Sequence, residues 1–291
     1  MENEQSKMNN KIYPTIKDSI LLCLLFLGIQ IAAGFIMGIF GAILKISISN
    51  NASHFVGVST ILISVVAFGV VILIGFKKTK RKFNEVFKFN KVAPILWIAV
   101  VVFSIGFGIV LSEFNNFINY FLPMPEMVRS LFDTLMVDQM LIISVIIIII
   151  MPAFAEELLF RGIILDGLIN NYSKRKAIIV SALLFGLIHL NPWQFFTGFF
   201  IGLFSAWICI KTNSLLLCIY IHLFHNLIGT AAMRLKNIVP IKGINTHASV
   251  GEFHALWVNL TGLILLITGI FLLKKGFENN KSVDRIYGNN I

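Results

Sequence analysis

Charged residues are scarce in this chain, and their scarcity excludes a soluble protein. Asp, Glu, Lys and Arg make up only 13% of the 291 residues, whereas soluble proteins carry about 25%. Hydrophobic residues make up 57%, and the mean hydropathy is +0.86. Apolar runs of roughly 18 or more residues are typical of helices that span a bilayer. We therefore expect an all-α, polytopic membrane protein.

Cysteine is also rare. The three cysteines are Cys23, Cys209 and Cys218, and each lies within an apolar run without a CxxC pair. This arrangement excludes a disulfide framework and a thiolate metal site. We interpret all three as buried structural thiols.

Apolar runs divide the chain into about eight candidate transmembrane helices. The first run, 19–44, is too long for the core of a signal peptide and has no small-residue cleavage pattern. The other seven are 55–76, 92–111, 140–168, 177–190, 192–210, 214–233 and 253–273. The fifth run is short, so it either tilts little, borrows flanking residues or begins near Ser173 with its lysines reaching the interface.

Basic residues outnumber acidic ones by 24 to 14, and their distribution indicates a membrane topology. With the N-terminus in the cytoplasm, eight alternating helices place eighteen Lys and Arg residues inside and five outside. Seven of the eighteen fall in the segment 77–91. We interpret this excess as a positive-inside signal that also favours anionic membrane lipid, and we expect no nucleic-acid partner. The predicted location is the cell membrane, with both termini cytoplasmic.

A few ionisable residues fall inside the apolar runs, where each costs roughly 2.5 to 3.5 kcal/mol to insert. The fourth run contains Glu156, Glu157 and Arg161. Glu157 and Arg161 are four residues apart and share a helix face, where they can form an ion pair. Glu156 is rotated about 100° from that face, so its carboxylate meets a different neighbour. Pro152 removes the N–H that would bond the Ile148 carbonyl, and we expect a kink there.

Two further runs carry imidazole groups. His189 lies at the end of the fifth run, and His222 in the seventh run shares a helix face with Asn226. A rise of about 1.5 Å per residue places Glu156, His189 and His222 at overlapping depths in the membrane. A carboxylate, two imidazoles and an amide at similar depths can hold or activate water.

The other four histidines carry less functional weight. His225 follows His222 by three residues, but we interpret it as a hydrogen-bonded core residue. His54, His247 and His254 lie in or beside outer loops, where we expect solvated side chains. The candidate site therefore includes none of these four.

The sequence resembles the CPBP family of intramembrane proteases, which includes CAAX prenyl proteases and bacteriocin-processing proteins and is also called the Abi family. The family pattern is a doubled Glu followed by Arg, then a Phe and a His four residues apart, then a His with an Asn four residues later. The matching residues are Glu156, Glu157 and Arg161, then Phe185 and His189, then His222 and Asn226. These motifs occur in order in the second half of the chain, whereas the first half shows none.

The resemblance implies a proteolytic core with Glu156, His189 and Glu157 as candidate catalytic residues. In this core Glu156 and His189 activate a water molecule for attack on a peptide carbonyl. Arg161 and Phe185 provide structural support. The chemistry is consistent with the residue types, because a buried carboxylate has its pKa raised toward the range of a general base, while a nearby arginine lowers it again.

The resemblance leaves the role of a metal open. His222 and Asn226 complete the site either as metal ligands or as groups that stabilise the oxyanion. In the metal-dependent form, Glu156, His189 and His222 are the ligands, and zinc is the candidate ion because two His and one Glu form a known catalytic zinc set. The HExxH spacing is absent, and both metal-dependent and glutamate-type mechanisms have been assigned within the family.

On these grounds we divide the chain into three segments. Residues 1–139 hold the first three helices and no motif, 140–235 hold the catalytic core, and 236–291 hold an outer loop, the last helix and a cytoplasmic tail. The leading hypothesis is an intramembrane endopeptidase that hydrolyses a peptide bond of a membrane-associated or lipidated protein or peptide. A non-catalytic membrane scaffold or bacteriocin-immunity protein that binds a peptide or partner is the alternative. A proton-coupled transporter is a third hypothesis, although the sequence shows no repeat symmetry by eye.

Overall fold

The regular structure of the described chain is helical. The computed structural model of the protein describes residues 11–44, 52–138, 140–246 and 252–287. The predicted termini at 1–10 and 288–291, and His247, lie outside these ranges. Within the described ranges, seven helices are long and apolar enough to cross a membrane. The predicted all-α, polytopic membrane fold is confirmed.

We number ten helices of the described ranges α1 to α10. They are α1 (Ile16–Ile43), α2 (Ala52–Thr79), α3 (Phe83–Val86), α4 (Pro94–Phe121), α5 (Glu126–Asp133), α6 (Leu141–Asn171), α7 (Lys174–Leu187), α8 (Pro192–Thr212), α9 (Leu215–Arg234) and α10 (Leu256–Tyr287). A short π-helical stretch, Thr134–Asp138, directly follows α5. Two stretches of α6 are π-helical, Val145–Ile150 and Leu158–Leu165. The first of them ends two residues before Pro152, where the sequence predicts a kink.

Helix α7 is the one predicted span that is too short to cross a bilayer core. Its 14 residues measure about 21 Å at 1.5 Å per residue, against about 30 Å for the core. The helix begins at Lys174, because Ser173 caps it by accepting a hydrogen bond from the Lys176 N–H at 3.4 Å. Of the three alternatives for this short run, the structure shows the start near Ser173.

The chain forms two compact units. The first unit contains residues 1–89 and 154–209, and the second contains residues 90–153 and 210–291. The boundary between them falls within α6, so the segment 140–235 contributes residues to both units. The three-segment division made from the motifs follows the sequence and not this compactness, and it stays a prediction.

In the first unit, α1 packs against α2 through apolar side chains near its start. Leu22, Cys23 and Phe26 are buried, and the rings of Phe26 and Phe68 lie 4.3 Å apart. A capping box starts α1, because Thr15 and Asp18 exchange side-chain and backbone hydrogen bonds. Such a box satisfies N–H groups that the first helical turn leaves without partners.

In the second unit, α4 and α10 approach each other at glycine residues. A Cβ atom on Gly106 would lie 2.2 Å from the Leu266 nitrogen, and one on Gly269 would lie 2.4 Å from the Phe103 Cα. Small residues allow two membrane helices to bring their backbones close together. Gly106 and Gly269 therefore set the spacing of this helix pair.

Candidate active site

The ion pair predicted on α6 is present and fully buried. Arg161 Nε lies 3.1 Å from Glu157 Oε2, and both side chains have 0% exposure. The π-helical stretch that carries Arg161 buries every residue from Leu159 to Leu165. A charge pair in such surroundings needs further polar partners to offset the loss of hydration.

Those further partners come from α8 and α7. The Ser205 hydroxyl donates to Glu157 Oε2 at 2.8 Å, and Arg161 Nη2 donates to the Gly202 carbonyl at 3.2 Å. The Arg161 guanidinium also lies over the Phe185 ring, 4.5 Å from its centre. Groups of α7 and α8 therefore hold Arg161 and Glu157 of α6 in place, and the supporting role of Arg161 and Phe185 stays a prediction.

Glu156 precedes this ion pair and is nearly buried, with 9% exposure. It lies at the end of the α-helical stretch Met151–Glu157, where the backbone changes to π-helix. Consecutive helical residues point about 100° apart, so Glu156 faces a different direction from the Glu157–Arg161 pair. Glu156, on a different face of the helix from the ion pair, stays the predicted catalytic carboxylate.

His189 lies in the first unit as well, just after the end of α7. Its Nδ1 atom is 2.9 Å from the Phe185 carbonyl oxygen. Because a carbonyl oxygen only accepts hydrogen bonds, Nδ1 carries the proton in the neutral imidazole and Nε2 carries the lone pair. The half-buried ring is therefore oriented with its basic nitrogen away from the helix backbone.

A tight turn places His189 between α7 and α8. Leu190 has a positive φ of 55°, and the Asn191 amide donates to the His189 carbonyl at 2.9 Å. The Asn191 side-chain oxygen also accepts from the Gln194 N–H at 2.8 Å. These bonds connect the end of α7 to the start of α8 and fix the backbone of His189 between them.

Glycine residues allow α7 and α8, the helices that this turn connects, to pack close together. A Cβ atom on Gly186 would lie 2.8 Å from the Phe195 carbonyl, and one on Gly202 would lie 3.0 Å from the Ala182 Cα. A Cβ atom on Gly198 would lie 3.3 Å from His189 Cε1. Gly198 and Gly202 form a GxxxG pattern, a known signal of close helix packing in membranes, which our sequence reading missed.

His222 and Asn226 lie on α9 in the second unit. His222 is buried, with 5% exposure. The Asn226 amide donates to the Ile148 carbonyl at 2.8 Å. Pro152 cannot supply the N–H that this carbonyl would receive in a regular α-helix. Asn226 therefore provides a donor at the point where the proline removes one, a structural role that the motif by itself did not reveal.

A second buried polar cluster, which we name the His254 cluster, was missed by the sequence reading. The expectation that His254 is solvated was wrong, because it is 8% exposed. Glu113 Oε2 accepts from the His254 backbone N–H at 2.9 Å, and Asn259 donates to Glu113 Oε1 at 2.9 Å. The cluster also includes Ser112, Asn116 and the Gly243 carbonyl. Glu113 lies within the observed helix Pro94–Phe121 but beyond the predicted run 92–111, so the sequence signal required the correct end of this helix.

Several hydrogen-bond partners orient the His254 ring. Because Asn259 donates its amide to a carboxylate, its oxygen faces His254 Nδ1 at 2.9 Å. His254 Nε2 lies 3.2 Å from the Gly243 carbonyl. The Ser112 hydroxyl also lies 3.2 Å from Nε2, and Glu113 Oε2 lies 3.5 Å from Nδ1, so both ring nitrogens have polar neighbours.

The predicted zinc ligands are divided between the two units, with Glu156 and His189 in the first unit and His222 in the second. Among the described residues of each unit, no group of three or more His, Cys, Asp or Glu side chains could hold a metal ion. All three cysteines are free thiols. Cys23 and Cys218 are buried as predicted, whereas Cys209 is half-buried. The zinc ligand set of Glu156, His189 and His222 stays a prediction.

These observations describe a multi-pass membrane protein that buries carboxylate, imidazole and guanidinium groups among its helices. Residues 138–228 match a protein family described as type II CAAX prenyl endopeptidase, Rce1-like. The matched segment contains all three motifs, so the predicted resemblance to the CPBP intramembrane proteases is confirmed. No curated protein and no solved structure matches the chain.

Proposed function

We propose that the protein is an intramembrane endopeptidase that hydrolyses a peptide bond of a membrane-associated or lipidated protein or peptide. The family match supports a protease in general. The single observation that carries the chemistry is the bond from His189 Nδ1 to the Phe185 carbonyl at 2.9 Å. It leaves Nε2 as a base in an apolar protein, on the same compact unit as the Glu156 carboxylate.

In the proposed reaction, Glu156 and His189 together activate one water molecule. Glu156, as the general base, takes a proton from the water while the water oxygen attacks the peptide carbonyl carbon. The proton is then delivered to the amide nitrogen as the carbon–nitrogen bond breaks, so that one water is added across the bond. No step of this sequence passes through a metal ion.

The proposal gives Glu157 a positioning role in place of a catalytic one. Its Oε2 atom already contacts both Arg161 Nε and the Ser205 hydroxyl. A carboxylate held by two partners in a site without solvent access is poorly suited to exchange protons with a water molecule. We propose that it holds Arg161, and through it the π-helical turn that follows Glu156.

For His222 and Asn226 the proposed catalytic role rests on their motif alone. His222 is a candidate ligand or proton donor, and Asn226 is a candidate oxyanion donor. The Asn226 amide has two N–H groups, and one of them bonds the Ile148 carbonyl. The second N–H is the one that the proposed oxyanion role requires.

The substitution Glu156→Gln tests the proposal with the least structural change. We expect cleavage to fall by at least about 100-fold, since general-base catalysis contributes roughly 10²–10⁴-fold. The measurement is the appearance of new peptide N-termini in membranes that contain the wild-type or the variant protein. Glu126→Gln, at an exposed position of α5, is the matched control and should cleave normally.

The same experiment separates the protease from a non-catalytic scaffold. If Glu156→Gln kept the wild-type set of new N-termini, the proposed general base would be wrong. If wild-type protein generated none but still retained a peptide partner on purification, the scaffold hypothesis would replace the protease. A farnesylated peptide compared with the unmodified peptide of the same sequence then tests whether the substrate must carry a lipid.

A further inference from the structure

The last residues of α2 and the stretch that follows them combine exposed lysines with exposed phenylalanines. We define the basic–aromatic segment as residues 77–89. Its exposed lysines are Lys77, Lys78, Lys80 and Lys82. Phe83 is 58% exposed and Phe89 is 40% exposed. An aqueous loop rarely exposes two phenylalanines together, so this combination requires an explanation.

Two other cations of the segment are used to anchor it. Arg81 Nη1 and Lys88 Nζ both pair with the Asp166 carboxylate of α6, the latter at 2.8 Å. Arg81 Nη2 also donates to the Glu85 carbonyl at 2.8 Å. These contacts hold both ends of the segment against α6, and they leave the exposed lysines as the excess positive charge of this surface.

A ring cluster supports the exposed phenylalanines from beneath. Phe87 is buried, with 3% exposure, and its ring lies 5.4 Å from Phe76 and 4.8 Å from Phe83. Phe83 stacks on Phe89 at 6.3 Å. The two exposed rings are therefore part of an ordered surface and do not belong to a loose loop.

A shallow cleft of about 100 Å³ lies beside this surface, between the start of α1 and the end of α2. Its polar lining consists of Tyr13, Asp18 and Lys78, with the Lys78 ammonium 5.7 Å from the Tyr13 ring centre. Its walls include the exposed apolar side chains of Leu21 and Leu25. Burial, with a smaller contribution from the Asp18 carboxylate, raises the pKa of Tyr13 to about 12, so its hydroxyl stays neutral.

We propose that the basic–aromatic segment binds anionic phospholipid of the adjacent leaflet. The lysines contact the phosphate groups, Phe83 and Phe89 insert at the level of the headgroups, and the cleft takes up part of an acyl chain. Aromatic residues concentrate at this level of a membrane. Lysines near an anionic surface each strengthen attachment by about fivefold. A soluble acidic protein would explain the charge but not the exposed rings at the end of a membrane-crossing helix.

The test uses the full-length protein in mixed detergent micelles that contain equal phosphatidylglycerol and phosphatidylcholine. The retained lipids are counted by mass spectrometry after washing. We expect wild-type protein to retain phosphatidylglycerol preferentially and to lose it as salt rises. The triple variant Lys77→Gln/Lys80→Gln/Lys82→Gln should retain at least about tenfold less of it.

A matched control removes three exposed lysines elsewhere. Lys211→Gln/Lys274→Gln/Lys275→Gln changes the net charge equally, at positions on α8 and α10, and should retain phosphatidylglycerol normally. Phe83→Ser/Phe89→Ser tests the rings without a change of charge and should also reduce retention. Equal losses in both lysine variants would overturn the proposal in favour of a general charge effect, and so would unchanged retention in the first variant. Because all these side chains are exposed, circular dichroism should show unchanged folding.

Discussion

The two units bury their charges in different ways. In the first unit, Glu157 and Arg161 lie four residues apart on one helix and have 0% side-chain exposure. In the second unit, Glu113 and His254 are 141 positions apart in the chain, and the Glu113 side chain remains 24% exposed. A local pair is built into a single helix, whereas the His254 cluster forms only when distant parts of the unit pack together.

This difference has an energetic consequence. A fully buried pair has no access to water, so the loss of one partner leaves an unpaired charge in a low-dielectric environment. The carboxylate of the His254 cluster keeps amide donors from Asn116 and Asn259 and some contact with solvent. We therefore expect the first unit to be more sensitive than the second to the removal of a charge.

The largest effect is expected for Arg161→Ala. It leaves the Glu157 carboxylate buried without its cation and should destabilise the protein by about 3–5 kcal/mol. The measurement is the yield and thermal unfolding of the purified protein in detergent. The double variant Glu157→Leu/Arg161→Met should recover most of the loss, because replacement of both partners by apolar groups is often neutral. A failure of the double variant to recover would show that the partners on α7 and α8 matter more than the pair.

A smaller effect is expected for Gly106→Ala in the second unit. The added Cβ would lie 2.2 Å from the Leu266 nitrogen and 2.7 Å from the Gly262 carbonyl oxygen. A backbone atom cannot move without its neighbours, so we expect overpacking to lower the free energy of unfolding by about 3 kcal/mol. Gly108→Ala is the control, because no atom lies within 4 Å of its added Cβ among the described neighbours. Thermal unfolding of the two variants should differ clearly; equal stability would contradict the close packing of α4 and α10.

The substitution His254→Leu is expected to lower the free energy of unfolding by about 1–2 kcal/mol. It removes the side-chain bonds from the imidazole to Asn259 and to the Gly243 carbonyl. His54→Leu is a matched histidine control, since the His54 Nδ1 atom has no hydrogen-bond partner in the described structure. Thermal unfolding measures the stability of both variants, His254→Leu and His54→Leu. Peptide cleavage should persist in folded His254→Leu protein, and its complete loss would move the catalytic assignment from His189 toward the His254 cluster.

The smallest effect concerns the bond between Asn226 and the Ile148 carbonyl. Asn226→Leu should lower the free energy of unfolding by about 1 kcal/mol, because the Ile148 carbonyl loses a donor that Pro152 cannot replace. In a Pro152→Ala background the helix regains its own N–H, so the same substitution should cost less. A double-mutant cycle measured by thermal unfolding gives the coupling between the two positions. Strict additivity would show that Asn226 does not compensate for the proline.

Much of the fold could be predicted from local patterns. Runs of apolar residues identified the long helices, and the spacing of Glu157 and Arg161 predicted their ion pair. The ends of α7 were predicted less well. The predicted run was 177–190, whereas the 14-residue helix is capped by Ser173 and ends before His189. Hydropathy alone cannot show where a short helix stops, because helix ends depend on capping groups and on the turn that follows.

The candidate site was predicted less completely than the fold. The motifs predict Glu156 and His189 as site residues, but they do not predict the hydrogen bond that selects the tautomer of His189. Ser205 was missed although it contacts Glu157 from 48 positions away. Serine is common in membrane helices, so a single serine carries little signal until its neighbour in space is known.

Composition and helical spacing were sufficient to establish a membrane protein with a buried carboxylate pair and an arginine, because these properties depend on the bilayer and on residues within one or two turns. The tertiary structure decided which partners those groups have. Gly202 and Ser205 contact a pair that lies more than 40 positions earlier, and Glu113 meets His254 across 141 positions. Separation along the chain carries no information about such contacts, because they arise only when packed helices bring distant side chains together.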